Sequence, residues 1–365
     1  MNTLVPIQYY TDLFYHFTLV ICLIVFLQST TSDMGSISNR KGKSALAFVV
    51  FILVVFYMGL RPVSSQFGDM VLYNFELKSI MMGNPPKGKV EFLFDALMKF
   101  FASIKSPELF FFVCAVLYVL PLYIATKRMF GDYWSYAFLM LIFSFTFWPF
   151  GVNGIRNGIA ASLFLLAISE PKKIIKYALF VAALLFHKSL VLPLAAYLVS
   201  KNIKNVKLYF AFWFLCIPVS LALGSFLESF FLGLGFSDDE RLKVYLSDLD
   251  QLNEGVELKL GFRWDFIIYS ATAVFASWFF IFKKKVEDLV YNNLVATYLL
   301  ANGFWILIIR ANYSNRFAYL SWFMMGIVIL YPLLKYQLFK EQHKIVGRII
   351  LFYFLLGYLL NVILA

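Results

Sequence analysis

The residues best suited to chemistry are a few cations and one imidazole placed at the ends of long apolar runs. Arg156 follows Asn153 and Gly154 and opens an apolar run of only about 15 residues, about 22 Å of helix against about 30 Å of hydrocarbon. Its outer end is therefore expected to sink below the lipid headgroups, where a guanidinium is costly unless it meets a wet cavity or an anion. A helix start adds free N–H groups and the positive end of the dipole, so Asn153, Gly154 and Arg156 read as a seat for phosphate or diphosphate. His187 stands between two short apolar arms with Lys188 beside it, and an imidazole so placed reads either as a structural histidine or as a general base. Arg310, Asn312, Asn315 and Arg316 crowd a short turn between two apolar runs. Two arginines on an outer turn oppose the positive-inside preference, which marks them as further anion ligands. Arg263, closing an acidic stretch at the membrane, joins that set.

Other devices are weak or missing. Asp248 and Asp250 have the spacing of a metal-binding pair used with sugar diphosphates, but in so acidic a loop that spacing arises readily by chance. Cys22, Cys114 and Cys216 stand alone inside apolar runs and read as small core hydrophobes. There is no Walker loop, zinc spacing, Gly-rich dinucleotide turn or nucleophile elbow. No metal or cofactor is expected.

The elements that must position these residues follow from composition. Of 365 residues, 61% are hydrophobic and 15% charged, with mean hydropathy +0.77, where a soluble domain is about half apolar and about a quarter charged. A water-soluble enzyme is excluded. The chain reads as an all-α polytopic membrane protein forming a single integral membrane domain over 1–365. Ten clear crossings are expected, at 9–28, 45–60, 108–125, 133–150, 155–169, 208–234, 264–282, 289–309, 317–334 and 345–364. The segment 174–200 is different: Lys172, Lys173 and Lys176 precede it and Lys201, Lys204 and Lys207 follow it. One straight span would separate the two clusters, so a re-entrant or broken segment turning near His187 is expected, with Ser189 and Pro193 as breakers. The total is then about 10–12 transmembrane helices.

Charge orients this array. The stretches holding Arg40 to Lys43, Lys127 and Arg128, the two lysine clusters, Lys283 to Lys285, and Lys335 to Arg348 fall on one side and contain 18 of the 32 basic residues. That side is expected to be cytoplasmic. The net charge of +11 is thus a topology signal and not a nucleic-acid footprint. Both termini then lie outside, and the first span is expected to be retained. The outer side receives two long loops. One, 61–106, carries an amphipathic stretch from Glu91 to Phe100 expected to lie along the interface and lid a cavity; the other, 235–263, is acidic and solvated.

Taken together, Arg61 with Gly68-Asp69 and Tyr73, then Gly154-Ile155-Arg156, then Phe186-His187-Lys188-Ser189-Leu190, then Arg316-Phe317-Ala318-Tyr319 resemble the EpsG family of bacterial polysaccharide polymerases, relatives of the Wzy O-antigen polymerases. The likeness covers nearly the whole chain. It departs where Gly68 and Asp69 are adjacent and where Asn157 stands in place of Gln. The resemblance implies a GT-C-like membrane glycosyltransferase on the outer face of the bacterial cytoplasmic membrane, elongating oligosaccharide repeat units linked through diphosphate to undecaprenol. Arg156, Arg316, Arg310, Arg61 and Arg263 would hold the diphosphate, and His187 or Asp69 would take the acceptor's proton. Tyr73, Asn153, Asn157, Lys188, Asn312 and Tyr319 would contact substrate. The implied partners are the lipid-linked oligosaccharide and membrane lipid, with a chain-length regulator and a flippase of the same pathway. The alternatives are a membrane O-acyltransferase or O-antigen ligase acting on the same glycans, or a transporter of lipid-linked sugars. A transporter would show internal repeats and mid-membrane charges; the sequence shows no repeat of the helix pattern, and nearly all its charges sit at span ends.

Overall fold

Apolar runs of this length have one way to satisfy their own backbone in hydrocarbon, which is the α-helix. The computed structural model describes residues 5–31, 37–84, 91–233, 261–311 and 314–363, and among these the chain is helical with no strand. In chain order the helices are α1 Tyr10–Thr31, α2 Ile37–Gly59, α3 Met70–Met81, α4 Phe92–Ser103, α5 Pro107–Phe130, α6 Trp134–Ile142, α7 Phe147–Val152, α8 Ile155–Ser169, α9 Lys173–Phe186, α10 Val191–Asn202, α11 Val206–Gly233, α12 Trp264–Trp278, α13 Leu289–Leu307, α14 Asn315–Trp322, α15 Met325–Lys335 and α16 Gln342–Tyr358.

Seven stretches are long and apolar enough to cross a membrane: Ile7–Thr31, Lys41–Gly59, Pro107–Ile142, Val206–Gly224, Trp264–Lys283, Asn315–Lys335 and Gln342–Ile363. The protein is a multi-pass membrane protein. The seven differ from the ten expected crossings for local reasons. Pro107–Ile142 joins parts of two expected crossings, but the chain turns back at Gly131, whose φ of +52° suits glycine, so that the Tyr123 ring meets Trp134 and Phe138. The run 133–150, expected as one helix, is two short ones. Ser144 and Thr146 pair their hydroxyls at 3.3 Å between α6 and α7, and Pro149 sits in the first turn of α7, where its missing N–H leaves no bond unmade. Ile155–Ser169 is a short apolar helix of 15 residues with the bounds expected of it.

The chain divides into two units, Met1–Leu190 with Leu330–Ala365, and Val191–Ile329. In the first, α5 and α8 run in the same direction. Arg128 near the end of α5 is paired with Glu170 just past α8 at 2.7 Å, and Ser162 donates to the Leu117 carbonyl at 3.2 Å. A small residue lets α7 sit close on α8: a Cβ on Gly158 would lie 2.7 Å from the Phe150 carbonyl oxygen. α9 then returns along α8, with Phe180 on Phe164. One end of this layer therefore carries Arg128, Glu170, Lys172 and Lys173, and the other carries Arg156 and His187.

The second unit is held by a buried polar knot. Asn302 of α13 accepts from Trp213 of α11 at 2.7 Å and donates to Ser270 of α12 and Ser321 of α14 at 3.1 and 3.0 Å; Trp322 also donates to Ser270 at 2.7 Å. Among apolar helices, which gain little by burying more apolar surface against each other in lipid, such bonds fix register.

Candidate functional site

The site of the first unit is built where α8 begins. The chain leaves α7, passes Asn153 and Gly154, and enters α8 with Arg156 in its first turn. Arg156 is held from two sides: its Nε donates to the Tyr73 hydroxyl at 3.1 Å and its Nη1 lies 2.9 Å from Glu91 Oε2, while the cation rests over the rings of Tyr73 and Phe94. Among the described residues its Nη2 makes no hydrogen bond, and the side chain is 21% exposed. The cation is thus aimed and partly open.

Tyr73 is delivered by α3, a helix not anticipated in the 61–106 loop although Met70, Tyr73 and Leu77 repeat at helical spacing and are buried. The approach to α3 is tightly built. Gly68 has φ +59° and ψ −121°, a conformation open to glycine, and it lies against Asn153, whose Oδ1 accepts the Asp69 N–H at 3.0 Å. Asp69 thereby sits at the head of α3 with its charge acting on Arg156.

His187 lies at the break between α9 and α10. Its extended backbone ends α9, and a single 3-10 turn, Lys188–Leu190, leads into α10. The expected break is present, but Pro193 falls in the first turn of α10, where it is compatible with helix. Side chains hold the turn open: Ser189 donates to Asn157 Oδ1 at 2.7 Å, and the Lys188 N–H to Glu91 Oε1 at 3.3 Å. The His187 Nδ1 also bonds Glu91 Oε1.

Glu91, which reading along the chain does not single out, joins Arg156, His187 and Lys188. Along the chain it reads only as the start of an amphipathic stretch. That stretch is α4, and its buried face, Phe94, Asp95, Met98, Phe101 and Ala102, continues back to Glu91. A carboxylate on the apolar stripe of a helix was the available signal. Burial opposes ionisation of Glu91, but the bond and charge of His187 and the charge of Arg156 prevail and hold its carboxyl below the ordinary range; burial pushes Asp95, one turn on, above it.

The other predicted residues are placed differently. Arg61 is 4% exposed and turned inward, donating to the carbonyls of Met58 and Val152 at the ends of α2 and α7, with Phe67 and Phe111 against its cation. That is a helix-capping position. In the second unit Arg263 is occupied by both oxygens of Asp265, at 2.9 and 2.6 Å, and lies over Phe266. Arg310 is exposed, reaching the Leu221 carbonyl at 3.5 Å. Arg316 sits in α14 near Tyr319, which bonds Asn315 one turn earlier. Asn312, and Asp248 and Asp250, lie outside the described residues. Among the described residues no group of three or more His, Cys, Asp or Glu side chains is arranged to hold a metal ion, and the three cysteines are buried and free.

The first unit therefore gathers Asp69, Tyr73, Asn153, Arg156, Asn157, His187 and Lys188, with Glu91 at the centre. This arrangement presents one open guanidinium beside one imidazole, means to hold an anion and to move a proton. Compared with known proteins, residues 44–365 match the model of the EpsG family. No curated protein and no solved structure gave a match.

Proposed function

The chain belongs to the EpsG family, and on that premise we propose that it is a membrane glycosyltransferase polymerising oligosaccharide repeat units carried on undecaprenyl diphosphate, acting at the outer face of the cytoplasmic membrane. The observation that carries the reading is the pairing of Arg156 and His187 on one carboxylate at the start of α8, the end of the layer opposite Arg128 and the lysines.

In the reaction the sugar–phosphate bond of the donor breaks as the acceptor hydroxyl attacks the anomeric carbon. The electron pair leaves with the lipid diphosphate, and the acceptor proton goes to a base. Arg156 offers Nη2 to the departing diphosphate and stabilises the charge that builds on it. His187 or Asp69 takes the proton. Within the second unit, Arg310 and Arg316 are proposed to bind phosphate. Arg61 serves the site by holding the ends of α2 and α7, and Arg263 is matched by Asp265.

In cells carrying Arg156→Ala or His187→Ala protein that inserts normally, glycans should stop at single lipid-linked repeats. A full-length polymer ladder in both variants would overturn the assignment. Purified protein should also elongate lipid-linked repeats in micelles with no ion gradient, which a transporter would not do.

A further inference from the structure

We infer that Glu91 is a positioning residue that locks His187 in the Nδ1–H tautomer, so that Nε2 is presented as the proton acceptor, and that ties this base to the diphosphate-binding Arg156. The inference rests on the reading above in which His187 receives the acceptor proton. Its ground is geometric. One carboxylate with 7% of its side chain exposed binds the His187 Nδ1 and the Lys188 N–H through Oε1 and pairs with Arg156 Nη1 through Oε2.

The groups facing Glu91 come from every neighbouring element. They are Asp95 on its own helix, which Lys99 faces in turn, Arg156 on α8, His187 and Lys188 past α9, and Tyr73 and Asp69 behind Arg156 at α3. With the ring neutral, the Arg156 cation 2.9 Å from Oε2 and the Lys188 N–H on Oε1 hold Glu91 ionised against its burial. Glu91 is therefore a carboxylate, and a carboxylate only accepts hydrogen bonds, so the proton of the shared bond belongs to Nδ1 and the lone pair of the neutral ring to Nε2. Among the described residues Nε2 has no partner, and the ring is 22% exposed.

The charges balance through the step. The acceptor O–H proton moves to Nε2, the imidazolium is stabilised by Glu91 at Nδ1, and the lipid diphosphate leaves as an anion beside Arg156. The Nη1–Glu91 pair leaves Nη2 for the diphosphate, so donor binding does not dissolve the support of the base.

The test uses full-length protein reconstituted with undecaprenyl-diphosphate-linked repeat units. Glu91→Gln keeps the shape and removes the charge, and kcat should fall about 100- to 10,000-fold, with KM for the donor changed by less than about threefold. Glu91→Asp, which restores the charge on a shorter arm, should recover part of kcat. A second readout needs no turnover. The chain has three histidines, so 15N-histidine labelling and comparison with His187→Asn identifies the His187 ring. Its Nδ1–H signature should be uniform in the wild type and mixed in Glu91→Gln. If the wild type elongates and Glu91→Gln keeps kcat within threefold, or if the Nε2–H form is found in the wild type, the inference is wrong. A wild type that fails to elongate at all, with the tautomer locked as stated, overturns the polymerase reading and leaves the Glu91–His187 coupling intact.

Discussion

Gly68→Ala tests how the approach to α3 holds the site without touching it. Two separable costs follow from the structure. The φ/ψ pair of +59° and −121° is a conformation that an alanine adopts only under strain, worth about 1–3 kcal/mol. The added Cβ would also stand 2.7 Å from Asn153 Nδ2 and closer still to the rest of the carboxamide. Asn153 must then swing away and release the Asp69 N–H it accepts at 3.0 Å, about 1 kcal/mol more. The sum is about 2–4 kcal/mol. Because the first bond of α3 runs from Tyr73 N–H to the Asp69 carbonyl, the shift is transmitted to the hydroxyl that orients Arg156, and elongation should fall with stability. Denaturant unfolding of purified protein in mixed micelles measures the cost, and a double-mutant cycle divides it. Asn153→Ala alone should cost about 1 kcal/mol. In that background Gly68→Ala should cost only the dihedral share, about 1–3 kcal/mol. A single variant within about 0.5 kcal/mol of wild type, or an identical cost in both backgrounds, would refute the contact and its role.

Two further predictions address charge and the second unit. Glu91 is held below its ordinary value of 4.5, so its pairing stabilises the fold fully above about pH 4.5 and is lost as pH falls through the lowered value; the difference in thermal unfolding between wild type and Glu91→Gln should be full at pH 7 and shrink near pH 3, and an unchanged difference would refute the pairing. Asn302→Leu leaves the Trp213 N–H without its acceptor and Ser321 without its donor, while Ser270 keeps Trp322, and should destabilise the protein by about 1–3 kcal/mol in the same unfolding assay, with Asn302→Ala no milder.

The short helix Ile155–Ser169, the helix break after Phe186 and an amphipathic stretch at 91–100, within which most of α4 falls, are legible in the sequence. Helix formation is local, every backbone bond closing within four residues, and an apolar run measures hydrocarbon thickness directly. The same locality put Arg156 and His187 at span ends. Where short-range polar bonds interrupt an apolar run, as at Ser144 and Thr146, hydropathy passed over the break because the neighbouring residues remain apolar. α3 was missed because its stretch is read as a loop when judged by hydropathy, although its buried positions repeat at helical spacing.

What only the tertiary structure decided is which charges meet. By itself the sequence determined a multi-pass helical protein and supplied a short list of arginines at the ends of apolar runs. It could not rank them. Arg61, Arg156 and Arg263 look alike as isolated cations, yet one caps two helix ends from a buried position, one is clamped with donors to spare, and one is matched by a carboxylate two residues away. The difference lies in partners brought by other helices or by a local fork. Glu91 and His187 are 96 residues apart, and their meeting depends on how α4, α8 and α9 pack. Packing is set by the shapes of whole helix faces, whereas spacing along the chain reports only which residues share one.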